Sequence, residues 1–265
     1  MSKDFTIFLW LLKLGALVNL YFLANAYALP SGTADPHIVI PAQIFFAVSA
    51  YRCLFPVWYK DNIVFHGSSL SSIFLTRLFA TFSEVAYIYL LSHVLRLLNV
   101  EQVGWVNAFS WLMVLQVVIS QGFVWGAILT RRLVLYYYEE LSWAIIFALN
   151  TIASVSLYWT VDTLGGRGIL LQLNLLFGIV YLPWQLFPLR ALRSNARKSS
   201  ETVGPDAPVT WQLLAKGLAG SIHARNQTSD ADAWGGFIGL TWMAAYWATL
   251  LPMWLNHILG VLSSH

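Results

Sequence analysis

Residues 69–95 read SLSSIFLTRLFATFSEVAYIYLLSHVL. Coiled as a helix at 1.5 Å per residue, this run is about 40 Å long, more than the roughly 30 Å hydrocarbon core of a bilayer. Its two fully charged residues are Arg77 and Glu84. A barrel strand would alternate over about ten residues, whereas this run is apolar throughout. In hydrocarbon the backbone polar groups need partners inside the segment itself, so the run predicts a transmembrane helix.

Six further runs of the same kind flank it, at about 5–29, 38–58, 105–130, 134–159, 169–189 and 234–261. The expected fold class is all-α: a single transmembrane domain, residues 1–265, forming a polytopic helix bundle of seven spans. The chain is 58% hydrophobic and 10% charged, against about 45–50% and about 25% in soluble domains. Its mean hydropathy is +0.64. A water-exposed surface could not be solvated by so few charges. The first run also resembles a signal peptide, with Ala24-Asn25-Ala26 as an A-x-A cleavage site. It is longer than a usual signal core, which predicts a retained helix.

The turns carry expected punctuation. Pro30-Ser31-Gly32 closes the first span, Gly165-Gly166 marks a turn, and Pro183 and Pro188 lie near the end of the sixth. The long polar segment, 190–233, contains Pro205 and Pro208 and reads as a loop. Within it, residues 209–224 place Trp211, Leu214, Leu218 and Ile222 at helical spacing, which predicts an amphipathic helix. Such a helix lies on the membrane surface or packs on the bundle.

The basic residues orient the chain. Lys3, Lys60, Arg131, Arg132, Arg190, Arg193, Arg197, Lys198, Lys216 and Arg225 fall on the N-terminal side, against Arg96 and Arg167 opposite. Ten against two places the N-terminus in the cytosol and, with seven spans, the C-terminus outside. The sequon Asn226-Gln227-Thr228 then faces the cytosol, where it stays unmodified. Trp58, Trp105, Trp159, Trp184 and Trp234 fall at span ends, as interfacial tryptophans do. The expected location is a plasma or inner membrane. The lipid bilayer is the expected partner, together with other membrane subunits. The net charge of +3 comes without a basic, aromatic-interleaved arm, so no nucleic-acid partner is expected.

Six ionisable residues lie inside the apolar runs: Lys13, Arg52, Arg77, Glu84, Glu139 and Glu140. Each costs at least about 2.5–3.5 kcal/mol at a span centre unless paired or hydrated. Five of them lie roughly 8–12 Å below the cytosolic surface by residue count, and Glu84 lies deeper. The set sums to zero charge, and an interhelical network such as Arg77–Glu139 or Arg52–Glu140 fits, with the pairs left open. Arg77, Thr81 and Glu84 share a helix face directed into the bundle. Gln116, Gln121, Trp143 and Asn150 are further candidate linings of a polar, cytosol-facing cavity. Three readings fit these charges: a joint between helices, a cavity for solute or protons, and snorkelling of Lys13 and Arg52 to the surface.

Other chemistries find little. The six histidines contain no HxxxH or HExxH pair. Glu139-Glu140 lacks the downstream basic and histidine residues of intramembrane CAAX-type proteases. His93 and His257 sit at similar depth near the outer face and are the candidate haem ligands. Cys53, the single cysteine, reads as a small buried apolar residue. No phosphate-binding loop is present. The sequence therefore supports three functions: a solute-binding or transporting bundle, an accessory subunit of a membrane complex, and an enzyme acting on a lipid or isoprenoid through Glu84 or Glu139.

Overall fold

A computed structural model describes residues 4–30, 34–160, 166–200 and 208–262. Lys3, Gly165, Pro205 and His265 lie outside the described residues, as do the side chains of Lys60, Arg197 and Lys198. Among the described residues, six helices are long and apolar enough to cross a membrane: α1 (Thr6–Ala28), α2 (Pro36–Leu54), α3 (Ile73–Leu98), α4 (Gly104–Thr130), α5 (Val134–Leu157) and α6 (Gly166–Ser200). Five of them turn apolar residues outward near mid-helix. Leu17, Phe82, Leu115, Ile152 and Val180 are 53–63% exposed. An outer surface of this kind suits lipid and would not stay dispersed in water. The chain is an integral membrane protein built as an all-α helix bundle.

The helix ends follow local chemistry. Asp35 caps α2 by accepting the His37 N–H at 2.8 Å. The helix stops at Leu54, short of Trp58, because Pro56 disfavours helical geometry at Phe55, whose φ and ψ are −123° and 65°. Ser72 caps α3 by accepting the Leu75 N–H at 3.2 Å, and residues 69–71 form a separate 3₁₀ turn. Helix α6 runs on past Pro183 and Pro188 to Ser200. Each proline removes one N–H and neither ends the helix.

The seventh apolar run departs most from expectation. Instead of one helix it folds as α8 (Gly236–Trp242), a π-helical turn (Met243–Ala248) and α9 (Leu250–Leu262). At Thr249 the backbone leaves the helix, with φ −132° and ψ −82°.

Two compact units emerge. The first comprises Met1–Tyr87 and Leu218–His265. In it α1 and α2 pack against each other and against the π-turn around Leu9, Ala16, Cys53, Met243 and Trp247. Gly15 lets the chains approach closely: a Cβ there would stand 2.5 Å from that of Ala248. Asn19 donates from Nδ2 to the Trp247 carbonyl at 2.9 Å and to the Gly15 carbonyl at 2.7 Å. One end of this unit carries a small sheet. β1 (Val57–Trp58) pairs antiparallel with β2 (Ile63–Val64), which pairs parallel with β3 (Asn226–Gln227). Phe5 N–H donates to the Ser229 carbonyl at 2.8 Å, and Arg225 Nε to the Ser68 carbonyl at 2.7 Å. These bonds tie four separate stretches into one cap.

The second unit, Ile88–Gly217, packs α4 on α5 and α5 on α6. Arg131 ends α4 in the left-handed region at φ 58°. Helix α7 (Trp211–His223) begins under Thr210, whose Oγ1 accepts the Leu213 N–H at 3.2 Å. Gly217 lies flush on the backbone carbonyl of Leu129, with no room for a side chain. Trp211 points away, 86% exposed, and Lys216 is also exposed.

Candidate functional site

The intramembrane charges of the first unit gather at Glu84. Arg77 lies two turns before it on the same face of α3, and the two side chains meet in a fork: Nη2 donates to Oε2 at 2.7 Å and Nη1 to Oε1 at 3.2 Å. Arg52, from the last turn of α2, brings Nη1 to 3.7 Å of Glu84 Oε1. All three are buried, with exposures of 7% for Arg52, 1% for Arg77 and 5% for Glu84. Depth allows a pair such as Arg52–Glu140 without assigning it; in the structure Arg52 lies beside Glu84. Residue counts along a helix fix depth but not which helix lies alongside.

Aromatic rings enclose the centre. The Arg52 guanidinium lies over Trp247 at 4.4 Å and over Tyr246 at 5.6 Å, both carried by the π-turn. That of Arg77 lies 5.9 Å from the ring of Tyr59, which follows β1 in the cap. Tyr246 in turn meets Phe45, whose ring also contacts Tyr87. The hydroxyls of Tyr59 and Tyr246 are buried and have no hydrogen-bond partner among the described residues, and neither does Arg52 Nε. Two guanidinium groups thus share one carboxylate in a low-dielectric interior. Each buried charge there carries a desolvation cost of several kcal/mol that only good pairing offsets. Arg77 is well paired. At 3.7 Å Arg52 is beyond hydrogen-bonding distance of its acid.

The other sequence candidates go elsewhere. The Lys13 ammonium lies over Trp10 at 4.0 Å. Thr81 is half-buried and donates back to the Arg77 carbonyl at 2.9 Å. His66, in the cap, packs edge-on against Trp10 and tilted against Phe65, and its burial and the nearby Lys13 charge hold its pKa below the usual histidine value. In the second unit Gln185 donates to both the carbonyl and the carboxylate of Glu140, the former at 3.0 Å. Glu139 is half-buried beside it on α5. Gln121 is buried within α4 and donates to the Val117 carbonyl at 3.3 Å, while Gln116 is half-buried. Trp143 stacks on Phe147, and Asn150 is buried. His93 stacks on Tyr89, and His257 lies beside Trp254. Among the described residues no three His, Cys, Asp or Glu side chains gather as metal ligands.

Around Glu84, two guanidinium groups and one carboxylate thus lie buried among aromatic rings. No protein-family model, curated protein or solved structure matches this chain. The site is therefore read from its own chemistry. Arg52, Arg77 and Glu84 stand out in the sequence as charges in apolar runs. Tyr59, Tyr246 and Trp247 do not, since this chain has 12 tyrosines and 13 tryptophans and spacing does not single these out.

Proposed function

We propose that this protein binds a small solute inside the membrane, at the Arg52–Glu84–Arg77 centre, and carries it across by a transporter-like mechanism. One observation carries the reading: the apolar segment that breaks into a π-turn does so where it supplies Tyr246 and Trp247 to the buried charge centre. A straight helix satisfies its own backbone. A break inside the membrane is tolerated where it lines a site, and discontinuous helices of this kind hold the substrate in many transporters. π-Turns likewise concentrate at functional positions.

In this reading α8, the π-turn and α9 together form the seventh span. Residues 236–262 cover about 40 Å at helical rise, enough to cross the bilayer. The excess of basic residues on one side puts the N-terminus and the cap in the cytosol. The cap then closes the centre from the cytosolic side, with Tyr59 against Arg77, and release on that side requires the cap to move.

The test is purification from native membrane followed by mass spectrometry of retained small molecules, with wild type and Trp247→Ala in parallel. A solute held by wild type and lost from the variant supports the proposal. Absence of any retained solute, with stoichiometric retention of other protein chains, favours an accessory subunit and overturns it.

A further inference from the structure

We infer that the solute carries an oxyanion, a carboxylate or a phosphate, and that Arg52 is the group that receives it. This rests on the solute-binding reading above and names the chemistry of its ligand. Charge comes first. Arg52 and Arg77 are two buried cations, and Glu84 is the carboxylate that both contact. Arg77 takes both oxygens of that carboxylate at hydrogen-bond distance, so its fork is filled. Arg52 is left with a 3.7 Å contact through Nη1. Its Nε is buried and without a partner among the described residues.

Geometry narrows the ligand. A guanidinium offers N–H groups along its edges and none on its faces. The guanidinium carbon lies over the rings of Trp247 and Tyr246 at 4.4 and 5.6 Å, and its buried Nε edge is left for an oxygen acceptor in the guanidinium plane. That edge matches two oxygens of a carboxylate or phosphate, the pairing for which arginine is suited. Tyr246, stacked near the same guanidinium, has a buried hydroxyl with no partner, a second donor in the same enclosure. A second negative group on Arg52 balances two cations with two anions. A neutral or cationic ligand would leave that charge unbalanced.

The oxyanion has two sources: a free solute or the phosphate of a lipid headgroup. The experiment separates them. Wild type in phosphatidylcholine nanodiscs is titrated with sodium acetate, with sodium benzoate and with inorganic phosphate, against sodium chloride at equal ionic strength, reading thermal unfolding and native mass. A parallel sample contains phosphatidylglycerol. Arg52→Lys and Arg52→Met are run alongside. Saturable stabilisation by one of the free anions identifies a solute. Retention of phosphatidylglycerol on the protein identifies a lipid phosphate. Either supports the inference when Arg52→Lys weakens binding at least tenfold and Arg52→Met abolishes it. The wild-type titrations stand even where a variant folds poorly. If no anion differs from chloride while a neutral solute is retained in a Trp247-dependent way, the oxyanion is refuted and the solute site survives. If nothing binds, both fail, and a lower unfolding temperature for Arg52→Met then marks Arg52 as only a strut between helices.

Discussion

Arg77 and Glu84, two helical turns apart on α3, grip each other through both carboxylate oxygens at 2.7 and 3.2 Å while Arg52 approaches the same acid at 3.7 Å. Glu84 is therefore the keystone of the charge centre. Glu84→Gln strands two buried cations and should cost about 3–5 kcal/mol. Replacing the whole set, Arg52→Met with Arg77→Met and Glu84→Met, removes the stranded charges along with their partner and should unfold above Glu84→Gln. Thermal unfolding in detergent, followed by tryptophan fluorescence, checks both. A Glu84→Gln protein as stable as wild type would show that the acid holds nothing together.

The contact between α1 and the π-turn gives a second prediction. Gly15→Val places a side chain where a Cβ already stands 2.5 Å from Ala248, an overpacking worth about 1–3 kcal/mol. Asn19→Leu leaves the Trp247 carbonyl without its side-chain donor, at about 1–3 kcal/mol. Both act on one turn, so their costs should not add. A double-variant cycle in unfolding temperature measures the coupling.

His66 makes stability depend on pH. Its burial in the cap and the Lys13 charge favour the neutral form, so its folded pKa lies below the unfolded value of 6.5. Stability from this group is complete above pH 6.5 and is lost as pH falls from there toward the folded pKa. Unfolding temperature should thus drop on acidification below pH 6.5, and less so in His66→Asn. Parallel slopes for the two proteins would rule His66 out as the source.

Orientation has its own readout. Reporters fused within the 190–233 loop should be active in the cytosol, and reporters fused after His265 should be active only outside. A cytosolic signal from the second fusion would mean that residues 236–262 do not cross.

Much of this architecture is legible in the chain because hydrophobic runs bounded by Gly, Pro and charge are local signals. Arg77 and Glu84 could be placed on one face from their spacing alone. Three things were not legible. Met243–Ala248 contains neither Pro nor Gly, and its widening coincides with tertiary contacts: Gly15 opens the space and Asn19 holds the carbonyl. The cap depends on pairing Ile63-Val64 with Asn226-Gln227, a long-range match between two-residue strands that no periodicity announces. The partner of Arg52 depends on which helix lies beside α2, whereas its depth does not.

The contact of Trp247 with Arg52 joins a late segment of the chain to an early one. The ribosome delivers Arg52 to the bilayer early, with α2, while the indole that covers its guanidinium arrives only with the last helical segment. Through most of biosynthesis this cation lacks that shield and must find lipid phosphate, water or a chaperone instead. Only the arrival of residues 243–248 covers it, so a product truncated before Trp247 leaves the Arg52 guanidinium without that ring.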